Sequence, residues 1–271
     1  MTGIVVKYNS VNAFETIIYE KRDGIAYVTL NRPEVLNRYN IQMRDDFYQV
    51  LTAIRDDPEV LVVMFKGAGD RAFCVGADLS EFGTAPSPII ARQVRYERDV
   101  WGTLLGLKQP LIAAVHGFVL GSGVEITCCC DIRIASEDAV FGLPEVSLGM
   151  IPAAGGTQTV PRMIGRGKAL QFLLTSDRID VKEAYRIGLV SMVVIREELY
   201  LKADEIAQKL LSHGPIALRY AKEAINRGLD LTLDDGLALE RKLATLLAKT
   251  EDAAEGIKAL TEKRPPSFKN R

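Results

Sequence analysis

Leu111-Ile112-Ala113-Ala114-Val115-His116-Gly117-Phe118-Val119-Leu120-Gly121-Ser122-Gly123-Val124-Glu125 is the stretch on which the fold turns. Its first five residues are an unbroken apolar run of strand length, which predicts a strand buried on both faces. The glycine turn that follows opens an apolar helix over residues 124–130, with Glu125 in its first turn. Upstream, a second β-branched apolar run at 60–65 predicts another buried strand. Before it, Phe47, Val50, Leu51 and Ile54 fall at i, i+3, i+4 and i+7 of an amphipathic helix that stops near Asp57-Pro58. Earlier still, two β-rich segments, 14–20 and Ile25–Leu30, flank the tight turn Asp23-Gly24. Downstream, a polar helix is expected over 88–107 and a strand over 132–135. Strands and helices therefore alternate, and the fold class is α/β. From about Leu199 the strands cease, and Leu237, Leu243, Leu246 and Leu247 mark one of several amphipathic helices. The expected organisation is an α/β core over 1–198 that carries the site, and a helical region over 199–271 that buries its apolar faces on itself or on further copies of the chain.

Composition narrows the function classes. The chain has 271 residues, 48% of them hydrophobic and 25% charged, the balance of an ordinary globular protein. Its 34 basic and 35 acidic side chains leave a formal charge of -1, so no global field favours nucleic acid or an anionic membrane. No apolar run approaches the roughly 20 residues of a membrane helix. The segment from Met1 to Tyr19 is broken by Lys7, Asn9, Ser10, Asn12 and Glu15, so no signal-peptide core is expected there. Cys128, Cys129 and Cys130 are consecutive, which suits neither a disulfide framework nor paired metal ligands, so buried thiols in a reducing cytoplasm are expected. With only His116 and His213, a histidine triad or multi-histidine metal site has little material, and His116 reads as a strand end. Gly121-Ser122-Gly123 begins like a dinucleotide fingerprint, but Ile126 stands at its sixth position. Gly165-Arg166-Gly167-Lys168 reads as a helix boundary rather than a phosphate loop.

Two strand ends run into glycine turns, at 67–78 and 117–125. Such loops can present bare backbone N–H groups to an oxyanion, or can simply be sharp turns. Two carboxylates lie nearby. Glu125 either complements its helix dipole or faces a pocket, and Glu145, at the end of the short β-like segment Phe141-Gly142-Leu143-Pro144-Glu145, is either a surface residue or its partner. If both face one dry pocket they can hold a water and exchange protons with it, since crowding and burial raise at least one pKa.

Leu30-Asn31-Arg32-Pro33 with Leu36-Asn37, the run 72–78, Ala113-Ala114-Val115-His116-Gly117, the run 130–135, Phe141-Gly142-Leu143-Pro144-Glu145 and Gly155-Gly156-Thr157-Gln158 follow one another in an order that resembles the crotonase (enoyl-CoA hydratase/isomerase) superfamily over about residues 14–269. The resemblance implies a crotonase-like spiral of ββα repeats with a C-terminal α-helical region, assembled as a homotrimer or homohexamer. It implies an acyl-CoA ligand bound with no metal and no cofactor beyond the coenzyme A of the substrate. The backbone N–H groups of Ala77 and Ser122 map to the oxyanion hole. Glu125 and Glu145 map to the pair that handles the catalytic water, and retaining both favours a hydratase. Gly76, Asp78, Leu79, Ser80, Arg38 and Gly121 map to the surroundings of the thioester and coenzyme A. Ser122 and Ala153 stand where glycine is usual, Arg38 where a small residue is usual, and Glu34 and Ser80 where lysines often meet the coenzyme phosphates. Those departures leave the acyl group open, with a cyclic, branched or dicarboxylic enoyl-CoA hydratase or isomerase as the alternative. An RNA-binding or purely structural role is the more distant one.

Overall fold

The computed structural model describes residues 14–271, so the first 13 residues of the expected core lie outside the described residues. Strands β1 (Ile17–Arg22) and β2 (Ile25–Leu30) form a hairpin with Arg22 opposite Ile25. Asp23 and Gly24 take φ of 50° and 80°, the paired positive values of a turn that follows the natural twist of the strands. The expected first strand thus begins three residues later, at Ile17. Helix α1 (Ile41–Asp56) then crosses over to β3 (Val62–Gly67), which pairs parallel with β2. Asn40 caps α1 by accepting the Met43 N–H at 2.9 Å. The buried face of the helix includes Phe47, Val50, Leu51 and Ile54, as its periodicity predicts.

From β3 onward each pass of the chain lays one long and one short strand. β4 (Ala72–Cys74) follows β3, β6 (Phe118–Leu120) follows β5 (Leu111–Val115), and β8 (Val140–Gly142) follows β7 (Ile132–Ser136). The long strands build a six-stranded sheet, β1-β2-β3-β5-β7-β10, closed by β10 (Met192–Val194). The short ones build a four-stranded sheet, β4-β6-β8-β9, ending in β9 (Ile179–Asp180). The glycine stretches read as loops therefore hold short strands, and the glycines mark the corners where the chain leaves one sheet for the other.

Alternation explains the unbroken apolar runs. Ala26, Val28, Val63, Phe65, Ala113 and Val115 face the main core, where Phe47 meets Phe65 edge-on at 5.7 Å. Ile25, Tyr27, Val62, Met64, Ile112 and Ala114 face the other way and are covered by Leu199, Ala203 and Ala207 of α8 (Leu199–Leu211). The first helix of the C-terminal region is thus a layer of the body. After it, α9 (Pro215–Gly228) and α10 (Leu233–Leu247) pair with each other, and α11 (Glu251–Thr261) follows.

The helix expected over 88–107 is two helices, α2 (Pro88–Glu97) and α3 (Val100–Gly106), because Asp99 turns its carboxylate onto the Gly102 N–H at 2.9 Å and caps a fresh start. Helices α4 (Ser122–Cys128), α5 (Gly156–Ile164), α6 (Arg166–Thr175) and α7 (Val181–Arg186) complete the elements. α6 starts inside the glycine-basic stretch, as a helix boundary should. Among the described residues, no helix is long and apolar enough to cross a membrane.

Candidate active site

The short sheet brings the two glycine corners together. Leu120 pairs with Gly142 at the end of β6, and the Gly121 N–H donates to the Gly142 carbonyl at 2.9 Å. Chain leaving β6 and β8 therefore emerges at one edge, with Gly121 and Ser122 on one side and Glu145 three residues past Gly142 on the other. Gly121 has φ +51° and ψ -121°, a conformation open to glycine but strained for any L side chain. A Cβ there would lie 2.9 Å from Glu145 Oε1 and 3.1 Å from the Gly76 Cα, so the corner is packed on two sides.

Ala77 is held by an isolated parallel bridge to Tyr39. The Tyr39 N–H donates to the Gly76 carbonyl and the Asp78 N–H donates to the Tyr39 carbonyl, both at 2.9 Å. In extended chain, successive N–H groups point to opposite sides, so the Ala77 N–H faces away from Tyr39. That opposite side is the Gly121 corner: a Cβ on Gly76 would lie 3.5 Å from the Gly121 Cα and 3.7 Å from the Ser122 nitrogen. Ser122 opens α4, whose first helical bond runs from the Glu125 N–H to the Gly121 carbonyl at 3.1 Å, so the Ser122 N–H precedes the helical ladder.

Glu125 lies four residues beyond Gly121, on the same face of α4 and about 6 Å along the axis. It is 2% exposed. Its Oε1 accepts the N–H groups of Ala154 at 2.8 Å and Gly156 at 3.0 Å, which orient the carboxyl. Gly156 is needed for that approach, since a Cβ there would meet Glu125 Oε1 at 3.0 Å and Pro152 Cβ at 2.7 Å. Glu145 is half-buried at the start of a single 3-10 turn. Burial raises its carboxyl above the ordinary value, partly opposed by its own backbone N–H. Its Oε2 is buried with no hydrogen-bond partner among the described residues. The Gly121 corner is thus flanked by two carboxyls, Glu125 on α4 oriented by backbone N–H groups and Glu145 on the 3-10 turn with its Oε2 unpartnered among the described residues.

The other residues read from the sequence fall around this corner in different ways. Asp78 accepts from Ser80 Oγ at 2.8 Å and from Arg32 Nη1 at 3.2 Å, and these two partners hold its carboxyl below the ordinary value. Its side chain therefore stiffens the loop after Ala77. Leu79 is 49% exposed, and Arg38, Ser80 and Glu34 are exposed. His116 is buried at the end of β5, its Nε2 2.9 Å from the Gly69 carbonyl, so it is a structural strand end. All four cysteines are free and buried, and desolvation pushes the Cys74 and Cys128 thiols up to about 12. Among the described residues no group of His, Cys, Asp or Glu is arranged to hold a metal.

Sequence reasoning missed Tyr39 and Asn37 as parts of the site. Asn37 is fully buried with φ +55°, accepts the Arg32 N–H at 2.8 Å, and donates to the Ala68 and Ala72 carbonyls at 2.9 and 3.0 Å. It ties the segment that carries Tyr39 to the start of β4. An aromatic residue directly after Leu36-Asn37-Arg38 was the available signal. Tyr39, Arg44, Arg98, Trp101, Ala153 and Gly155 line a cavity of about 390 Å³ beside this corner. A larger cavity, about 720 Å³, lies between Cys128–Asp131 and α9, and touches neither carboxyl.

Residues 20–271 match the family model described as enoyl-CoA hydratase/isomerase. The chain is 41% identical over 257 residues to a protein named crotonyl-CoA hydratase from Syntrophomonas wolfei, covering 94% of this chain and 98% of that one. It is 43% identical over 256 residues to a short-chain-enoyl-CoA hydratase from Clostridium acetobutylicum, covering 94% and 98% respectively. Among solved structures, an enoyl-CoA hydratase from Bacillus anthracis is similar, with a TM-score of 0.90 at 39% identity over 95% of this chain and 100% of that one.

Proposed function

Because the chain belongs to the enoyl-CoA hydratase/isomerase family, we propose that the paired carboxyls at the Gly121 corner add water across the 2,3 double bond of a 2-enoyl-CoA to give the 3-hydroxyacyl-CoA. The chain is an enzyme of the lyase kind. The observation that carries the site assignment is the packing of Gly121 between the Glu145 carboxyl and Gly76, which brings one acid and two backbone segments to one point.

In this reading the thioester carbonyl accepts the N–H groups of Ala77 and Ser122. Both lie in rigid backbone, so they are oriented before the reaction begins, and one such donor contributes about 3 kcal/mol to the transition state. Water held between the carboxyls attacks C3. Glu125 takes a proton from it as the O–C3 bond forms, and the π electrons move toward the thioester as an enolate. Glu145 then gives a proton to C2, and the proton gained by Glu125 returns to Glu145 through the next bound water. The raised affinity of Glu145 for its proton supports the donor role, and the two N–H groups that orient Glu125 support a fixed base. Gly76, Asp78, Leu79, Ser80, Arg38 and Gly121 frame the thioester and the start of coenzyme A, with exposed Arg38 available to a phosphate. The substrate brings its own coenzyme A, and the scheme uses no further cofactor. The deciding test follows loss of the enoyl-thioester absorbance with crotonyl-CoA. Glu125→Gln and Glu145→Gln are each expected to lower kcat by about 10²- to 10⁴-fold while leaving the fold intact. Near-normal turnover in either folded variant would refute the two-carboxyl scheme.

Assembly belongs to the same reading. Ile225, Leu229 and Leu233 at the joint of α9 and α10 stand 62%, 73% and 78% exposed, an apolar edge that a second copy would cover. The region 199–271 is proposed to form a homotrimer or homohexamer, and a native mass equal to the 29.8 kDa chain at working concentration would refute it.

A further inference from the structure

We infer that the cavity beside Glu125 selects a short acyl group that carries an acceptor oxygen at its far end, with Tyr39 as the residue that reads it. This inference rests on the hydratase reading for its placement of the thioester. One wall of the cavity is Tyr39, whose backbone brackets Ala77 through the Gly76 carbonyl and the Asp78 N–H. The opposite wall is Ala153, Ala154 and Gly155, the loop whose Ala154 N–H holds Glu125. An acyl chain with its carbonyl at Ala77 and Ser122 and its C3 beside Glu125 therefore runs into this space.

The lining does not suit a plain hydrocarbon. The Tyr39 hydroxyl is buried and has no hydrogen-bond partner among the described residues, while Trp101 fixes its ring from a centroid distance of 5.7 Å. Around it, donors outnumber acceptors. Arg44 and Arg98 both line the cavity, and their shared partner is Asp45, whose Oδ1 takes Arg44 and whose Oδ2 takes Arg98. Asp99 has one oxygen on the Gly102 N–H. Two guanidiniums carry ten N–H donors between them, more than these carboxylate oxygens can accept. The formal charges of Arg44, Arg98, Asp45 and Asp99 cancel, so the chemistry called for is an acceptor oxygen, which a terminal carboxylate or a terminal hydroxyl can supply. Val100, Trp101 and Ala153 give the apolar walls for the carbons between. At about 390 Å³ the space ends a few carbons beyond the thioester. A longer alkyl tail would cover the Arg44 and Arg98 donors without offering them an acceptor, which disfavours it.

The test measures binding of saturated thioesters, which cannot be hydrated, by calorimetry on the wild-type enzyme and on Tyr39→Phe and Arg44→Leu. The probes are pentanoyl-CoA, glutaryl-CoA and ω-hydroxypentanoyl-CoA, matched in chain length. At least one oxygenated probe is expected to bind about tenfold or more tighter than pentanoyl-CoA. Tyr39→Phe is expected to erase that preference. A preference confined to glutaryl-CoA and lost in Arg44→Leu identifies a carboxylate; one shared by the hydroxyl probe identifies a neutral oxygen. Because the hydroxyl is unpartnered without ligand, Tyr39→Phe alone is expected to melt no lower than wild type, which a structural hydrogen bond would not allow. Equal or tighter binding of pentanoyl-CoA, or a preference that survives Tyr39→Phe, overturns the inference. Crotonyl-CoA hydration assayed on the same wild-type sample separates the two readings. Turnover without the binding preference removes the pocket inference alone, and the preference without turnover removes the hydratase reading.

Discussion

Replacing Gly121 by alanine probes the geometry at the point where the site is most crowded. Two consequences can be separated. The first is backbone strain: φ +51° with ψ -121° costs an L residue about 1–3 kcal/mol, equivalent to a fall in Tm of about 2–12 °C in a chain of this size. The second is displacement. The new Cβ would lie 2.9 Å from Glu145 Oε1, the far end of a flexible side chain that can swing away, and 3.1 Å from the Gly76 Cα, which is backbone and can give only a few tenths of an ångström. The proposed proton donor leaves its position, and the Ala77 segment is pushed away from Ser122. Losing one oxyanion donor alone lowers kcat by about 10²- to 10³-fold. Gly165→Ala supplies the control, because Gly165 has φ +78° but nothing within 4 Å of its added Cβ and lies away from both carboxyls. Steady-state kinetics with crotonyl-CoA and thermal melts on both variants should show comparable losses of stability and a loss of kcat confined to Gly121→Ala. If Gly121→Ala turned over within about twofold of Gly165→Ala, the packing of Gly121 against Glu145 and Gly76 would not be what organises the reaction.

Glu145→Gln should change stability as well as rate. Burial raises the folded-state affinity of this carboxyl for its proton, so its ionisation costs stability once pH exceeds the unfolded value near 4.3, up to the raised folded value. The glutamine variant should therefore melt higher than wild type at pH 7 and lose that advantage below about pH 4; equal melting points at pH 7 would argue against a buried, destabilised carboxylate. In wild-type enzyme the same group predicts a kcat that falls on the alkaline side as Glu145 ionises, a limb that should vanish in the variant's residual activity. Asp46→Ala should lower stability by about 2–4 kcal/mol, because it strands the Thr16 N–H and hydroxyl that donate to Asp46 Oδ2 at 2.9 and 2.7 Å in a buried setting, and a melt within 2 °C of wild type would contradict that. A thiol reagent at pH 8 should label none of the four cysteines rapidly in native enzyme and all of them after denaturation; a fast native phase would show that one thiol is accessible.

What could be read from the sequence follows from range. The strand at Leu111–Val115 and the α1 stripe through Phe47, Val50, Leu51 and Ile54 carry their signal in one local window, and the structure has them where periodicity puts them. β4, β6 and β8 have three residues each, too few for alternation to register, so apart from the short β-like segment before Glu145 the second sheet was invisible and its corners read as loops. The break between α2 and α3 was local and still missed, because Asp99 three residues before Gly102 is a capping signal inside a run that otherwise looked continuous. The residues of the candidate site could be named from motif order, but not their physics. Glu125 is held by N–H groups 29 and 31 residues away, and Glu145 presses on a glycine 24 residues earlier through a sheet that the sequence did not reveal. The Tyr39 hydroxyl, unpartnered among the described residues, is more remote still, since its surroundings depend on every element that packs around it. Local pattern thus names candidate groups for the chemistry, whereas their protonation and the shape of the cavity beside them are set by contacts between segments. Variants at Gly121 and Tyr39, which alter those contacts without substituting either glutamate, therefore test what the motifs alone could not supply.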